Sequence, residues 1–150
     1  MPHSSSCILI HLVFSTRNRE RVLTPALQAD LHPHLAETLT QLHCPPLQVG
    51  GVEDHVHLFF GLSPAHPVAE VTETVKDRSA KWLRARDAAL AHFHWQTNYG
   101  AFSISHLEAE TVANYLRNQV VHHQKMTYQE EFRRLLKWYQ VAFDEKHVWD

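Results

Sequence analysis

His55-Val-His-Leu-Phe-Phe-Gly-Leu62 is the stretch that decides the fold. Its alternation places Val56, Leu58, Phe60 and Leu62 on one face of a strand and His55, His57 and Phe59 on the other. The apolar set belongs to a core, so both imidazoles project from the opposite side. Immediately before it, Leu47 to Glu53 reads as another strand, close enough to form a hairpin. Its Gly50-Gly51 pair marks a bulge or a place where a second backbone comes near.

Working outward, the apolar, β-branched run Cys7-Ile-Leu-Ile-His-Leu-Val-Phe14 reads as a buried strand ending at the basic turn Ser15 to Arg21. Thr24-Pro25 is an N-cap and first-turn pair. From there Leu27, Leu31, Leu35, Leu39 and Leu42 trace a helix with an expected kink at Pro33. After Ser63-Pro-Ala-His-Pro67, the stripe Val68, Val71, Val75 and Trp82 predicts a second helix to about residue 88. Phe93 to Ser103 reads as a fourth strand interrupted near Asn98-Tyr-Gly100. Capping boxes at Ser105/Glu108 and Thr127/Glu130 start two more helices, the last carrying Phe132, Leu135, Leu136 and Tyr139. The order β-α-β-β-α-β-α-α predicts an α+β fold: a ferredoxin-like, split βαβ antiparallel sheet with two additional C-terminal helices. With 150 residues and 44% hydrophobic content, the chain is expected to form one domain over residues 1–150.

Composition limits the function classes more than it selects one. Lys plus Arg number 14 against 16 Asp plus Glu, so whole-chain charge shows no strong nucleic-acid footprint. Cys7 and Cys44 have no metal-ligand spacing, and no run of ~18 apolar residues exists to span a membrane. A cytoplasmic protein with reduced thiols is expected. Histidine is abundant, at 14 residues, which points toward metal chemistry or a pH response.

Two weak signals then combine. His55 and His57 leave the same face of one strand and can hold one cation as a half-site. Further on, Asn114-Tyr-Leu-Arg-Asn-Gln119 puts Tyr115 and Gln119 four residues apart, so a phenol and an amide oxygen share one helical edge. Each signal alone has an ordinary explanation, as a surface histidine pair or an amphipathic tyrosine. Asp54 and Glu53 flank the triplet, either as carboxylates orienting a histidine or simply as the hairpin turn.

In five ordered blocks the sequence resembles the small single-tyrosine HUH transposases of bacterial insertion sequences and their relatives associated with repetitive extragenic palindromes. The blocks are His11-Leu-Val-Phe-Ser-Thr-Arg-Asn-Arg19, Val49-Gly-Gly-Val-Glu-Asp-His-Val-His57, Val75-Lys with Ser79-Ala-Lys-Trp82, Trp95-Gln with Tyr99-Gly-Ala-Phe-Ser-Ile-Ser105, and Tyr115-Leu-Arg-Asn-Gln-Val-Val-His-His123. The resemblance implies Mg²⁺ or Mn²⁺ bound by His55, His57 and Gln119, and Tyr115 as nucleophile. It also implies single-stranded DNA with hairpins as substrate, a covalent 5′-phosphotyrosine, and a homodimer whose active sites combine residues of both subunits. Two imidazoles and an amide would by themselves favour Zn²⁺, Ni²⁺ or Mn²⁺ over Mg²⁺.

For DNA contact the sequence offers Arg17, Arg19 and Arg21 after the first strand, and Lys76, Lys81 and Arg84 on the second helix, with Trp95 or Tyr99 to stack on unpaired bases. Two rival readings stay open at this level. One is a domesticated, catalytically silent hairpin-binding module; the other is a metal-dependent phosphoesterase that uses the histidine pair and a water.

Overall fold

Two long apolar strands meet at the centre of the molecule, and their two faces have different tasks. The computed structural model describes residues 5–123 and 125–149. In it β1 (Leu9–Ser15), β2 (Pro46–Val52), β3 (His55–Gly61) and β4 (Gly100–Ile104) form an antiparallel sheet of order β2-β3-β1-β4. Each βαβ unit is split by a strand from the other, which is the ferredoxin-like arrangement expected from the element order.

On one face Leu12, Phe14, Val56, Leu58 and Phe60 pack under α1 (Pro25–Gln41) and α2 (Val68–Arg86), which contribute Leu31, Leu35, Leu39, Val71, Val75 and Leu83. Thr24 caps α1 by accepting from the Leu27 N–H, as its sequence signals. Helix α1 continues through Pro33 as one element. The other face is covered by the C-terminal helices α3 (Ala109–Arg117), α4 (Gln119–His122) and α5 (Tyr128–Trp138). There Phe59 and Ile104 meet Ala113 and Leu116, while Val13 and Phe102 meet Phe132, Leu135 and Leu136.

Burying both faces explains why the central strands are apolar on both sides. It also means that His55 and His57, placed opposite the first core, are not on a surface: both are wholly buried beneath the C-terminal helices.

Several local expectations need correction. Strand β3 ends at Gly61, leaving Leu62 outside it. Strand β4 starts only at Gly100; the segment from Phe93 instead runs irregularly, with Trp95 forming one isolated bridge to Thr16. Alternation cannot reveal where a strand loses its neighbour, which is decided by the edge of the sheet. Ser105 caps a short 3₁₀ turn, His106–Glu108, ahead of α3. The helix carrying Tyr115 stops at Asn118, so Tyr115 and Gln119 do not ride on one unbroken helix.

The two glycines of β2 serve different needs. Gly51 has φ of 150°, and a Cβ there would lie 2.3 Å from the His55 carbonyl oxygen, inside the hairpin itself. At Gly50 a Cβ would lie 2.8 Å from the Leu116 carbonyl oxygen, so the missing side chain lets the backbone of α3 settle on the sheet edge.

Candidate active site

Strand β3 delivers His55 and His57 to the face covered by the C-terminal helices, and α5 meets them with Glu131. Glu131 lies on the same stripe as Tyr128, Phe132 and Leu135, a carboxylate on an otherwise apolar helix face. It is fully buried, and such a charge is costly unless surrounded by partners. Glu131 Oε1 is 3.0 Å from His57 Nε2, 3.2 Å from His55 Nε2 and 3.0 Å from His123 Nε2. The second oxygen, Oε2, accepts from Gln119 Nε2 at 3.0 Å and from the Tyr115 hydroxyl. Gln119 Oε1 in turn faces His55 Nε2 at 3.1 Å and His123 Nε2 at 3.0 Å.

The electrostatics follow from this crowding. Burial works against charge on His55, but the Asp54 and Glu131 carboxylates on its two nitrogens outweigh it and push its pKa up to about 9. Burial likewise opposes ionisation of Glu131, yet the attraction of His57 and hydrogen bonds from His123, His55 and His57 hold the carboxyl far below its usual range. For His57 burial prevails and lowers the pKa despite Glu131. The Tyr115 phenol is raised well above its ordinary value, first by burial and then by the Glu131 charge, so it is held protonated.

His57 has its own support. His11 on β1 places Nε2 2.8 Å from His57 Nδ1, and burial followed by the influence of His57 lowers the His11 pKa to about 3. Asp54 Oδ1 sits 2.7 Å from His55 Nδ1, so Asp54 makes the orienting contact while also lying, with Glu53, in the turn between β2 and β3. Glu53 turns outward to Arg21.

The donor set fits a divalent cation. His55, His57, His123 and Glu131 each offer an atom, all within 4.8 Å of one another. Separations of 3.0 to 3.2 Å between imidazole nitrogens and the carboxylate oxygen are close to the edge of an octahedron built on ~2.1 Å metal–ligand bonds. With three imidazoles and a carboxylate, Mn²⁺ and Zn²⁺ suit the site by ligand chemistry, and Mg²⁺ is compatible through the oxygen donors.

Residues 4–119 match the family described as "Transposase IS200 like". The chain belongs to this family. Among solved structures, this IS200-like transposase is similar to a candidate transposase from Deinococcus radiodurans, with 21% identity over 79% of this chain and 95% of that one, at a TM-score of 0.63. It is also similar to a REP-associated tyrosine transposase bound to a REP hairpin, with 14% identity over 100% of this chain and 94% of that one, at a TM-score of 0.60. At these identities the likeness concerns the fold. No curated protein matches the sequence.

Of the residues singled out from the transposase sequence, His55, His57, Gln119 and Tyr115 converge around Glu131 within a single chain. Sequence reasoning missed Glu131, His123 and His11 as participants. The legible sign was a glutamate at an apolar position of α5, between Tyr128 and Leu135. His11 and His123 fall inside two of the quoted blocks, but no spacing ties them to His57 or Glu131.

None of the basic candidates bonds to Glu131 or to the imidazoles around it, although Arg21 lines one cleft with Asp54 and His123. Arg17 and Arg21 are exposed and Arg19 half-buried, on the segment after β1, with Arg21 paired to Glu53 at 3.1 Å and Arg19 lying over Trp149. On α2, Lys81 pairs with Asp77 at 3.1 Å and Arg84 donates to the Phe93 carbonyl at 2.9 Å. Lys76 donates to the Gln96 and Thr97 carbonyls, and burial lowers its pKa to about 8. Trp95 cannot serve as a stacking platform: it is 7% exposed, donates to Ser79 Oγ at 2.9 Å and packs edge-on against Phe14 and Phe93. Tyr99, at 38% exposure, keeps an accessible ring. Among the described residues no helix is long and apolar enough to cross a membrane.

Proposed function

We propose that this IS200-like transposase cleaves and rejoins single-stranded DNA at hairpin-marked element ends through a covalent 5′-phosphotyrosine on Tyr115. One observation carries this reading: the Tyr115 hydroxyl donates to the same buried carboxylate that three imidazoles surround. A phenol, an acceptor for its proton and a cation-binding donor set thus share one point. An isolated metal-bound water would not require that convergence.

His55, His57 and Gln119 would hold Mg²⁺ or Mn²⁺, with Glu131 and His123 as further donors. The bound cation supplies positive charge for the non-bridging phosphate oxygens as negative charge builds on them. Asp54 fixes the His55 ring so that Nε2 faces the centre, and His11 does the same for His57. Glu131 Oε2 holds the phenol proton until attack. Attack by Tyr115 Oη on phosphorus forms an O–P bond and breaks the P–O3′ bond; the phenol gives up its proton and the departing 3′ oxygen takes one up, so no net proton is gained or lost and a free 3′-hydroxyl results. The phosphodiester energy is retained in the protein–DNA bond, and the returning hydroxyl of a second strand reverses the step.

The REP-hairpin complex of a structural neighbour supports a hairpin-bearing substrate. Arg17, Arg19 and Arg21 are proposed to hold DNA backbone, together with Lys76, Lys81 and Arg84 once their present partners yield. The phenol and histidines of one chain already meet, so a homodimer would either keep this arrangement or exchange the α3 helices between subunits.

The test is a denaturation-resistant adduct between the protein and labelled single-stranded DNA in Mn²⁺. The expected result is an adduct with the wild type and none with Tyr115→Phe. Cleavage that survives in Tyr115→Phe would assign the reaction to a metal-bound water instead.

A further inference from the structure

Beside the phenol lies a cleft of about 510 Å³ between β4, α3 and α5, reaching from Tyr115 to Trp138. Its volume is that of a site for a compact organic ligand, within the ~300–1,000 Å³ usual for such sites. Leu135 and Tyr139 furnish apolar wall, and the indole of Trp138 stands on the rim, 77% exposed. Arg134 is the one arginine or lysine lining it, at the α5 wall, and Glu108 is the one carboxylate, next to α3. Arg134 is exposed and makes no hydrogen bond or ion pair among the described residues, in contrast to Arg133, which pairs with Glu145 one position earlier on the helix. Its charge nevertheless acts on the Tyr115 phenol, favouring the ionised form. His11 also lines the cleft; it is 1% exposed, and its Nδ1 has no hydrogen-bond partner while Nε2 faces His57. A buried ring nitrogen without a partner is unusual and marks an unmet hydrogen-bonding demand beside this space.

We infer that this cleft is a nucleotide subsite: it takes one unpaired nucleobase of the single-stranded substrate, adjoining the phosphate that Tyr115 attacks, with Trp138 stacking on the base and Arg134 holding a backbone phosphate. The inference rests on the reading of Tyr115 as nucleophile. A phosphate within reach of Tyr115 carries a nucleoside on each side, and in a single strand those bases have no pairing partner. An apolar slot edged by an exposed indole and one unpaired guanidinium matches the flat π-face and adjacent negative charge of such a nucleotide. A metabolite lacking a ring would leave the indole unused, and a purely apolar ligand would leave Arg134 unmatched.

The experiment starts with wild-type protein, Mn²⁺ and a pool of single-stranded oligonucleotides with random segments, to capture the adduct and map the cleaved bond. Binding is then measured with Tyr115→Phe protein, which holds DNA uncut, using oligonucleotides made abasic at each position flanking that bond. At one of the two positions the abasic substitution is expected to weaken binding by ~5- to 100-fold, and this loss is expected to disappear in the Tyr115→Phe/Trp138→Ala protein. Arg134→Gln, a surface change, is expected to weaken binding to all sequences and reduce the salt slope by about one. An abasic penalty undiminished by Trp138→Ala, or no penalty at either position, overturns the inference. So does loss of self-association in Trp138→Ala with an unchanged abasic response, which would make the cleft an interface between two copies of the chain. Failure to form any adduct sinks the reading of Tyr115 and this inference with it, whereas an adduct without the abasic response sinks the inference alone.

Discussion

Replacing Gly50 by alanine puts one methyl between the sheet and the helix that carries Tyr115. The added carbon would sit 2.8 Å from the Leu116 carbonyl oxygen, about 0.6 Å inside the 3.4 Å at which ordinary contact begins. The obstructing atom is backbone, so no rotamer can relieve the clash and α3 must lift. Tyr115 precedes Leu116 and moves with it. Overpacking of this kind costs roughly 1–3 kcal/mol of stability. A reacting group displaced by ~1 Å loses on the order of 10²-fold in rate, so a shift of about half that size should slow adduct formation by roughly ten- to a hundredfold. His55 and His57 stand on β3 and Glu131 on α5, outside the displaced helix, whereas Gln119 and His123 follow Leu116 in the chain, so affinity for Mn²⁺ should fall less than the adduct rate. Single-turnover adduct formation on labelled DNA, run beside a Mn²⁺ titration and a thermal melt, measures all three. A Gly50→Ala protein with the wild-type adduct rate would refute the claim that this glycine sets the position of the tyrosine.

Two further outcomes follow from the site. Asp54→Asn removes the charge that orients His55 through Nδ1 and should weaken metal binding by ~10- to 100-fold with little change in fold, as read by calorimetric titration and circular dichroism; unchanged affinity would reduce Asp54 to a turn residue. The metal-free protein should be most stable near pH 6.5. The folded pKa of His55 is about 9, above its ordinary 6.5, so its contribution is fully present below pH 6.5 and is lost as pH rises through 9; Lys76, lowered to about 8, works the other way above pH 8, so the fall is steepest between pH 6.5 and 8. His11 and His57 have lowered values, with His11 at about 3, so they oppose folding increasingly as pH falls below 6.5. Melting temperatures across pH 5 to 9.5 in EDTA should trace that maximum, and saturating cation should flatten the alkaline side, because the ligand histidines must be deprotonated to bind. A melting temperature that climbs steadily to pH 9.5 in EDTA would contradict the doubly hydrogen-bonded, charged state of His55.

Sequence alone determined the order of the four strands and the first two helices, the face from which His55 and His57 project, and the family, because these depend on periodicities of two and 3.6 and on blocks of adjacent residues; it pointed to two C-terminal helices where the break at Asn118 makes three. The Gly50-Gly51 pair left a bulge or a close backbone approach open by the same local logic; at Gly50 the approach of the Leu116 carbonyl is the one found, and the register shift of β2 lies at Pro46/Gln48 instead. What only the tertiary structure decided is everything that depends on two elements meeting. The face bearing the histidines is closed by α3 to α5, a stripe glutamate 74 residues after His57 becomes the centre of the cluster, and Trp95 goes to the core instead of to DNA. No local pattern encodes such pairings, since a buried carboxylate is tolerable only where distant imidazoles arrive to hold it, and their arrival is a property of the packed fold.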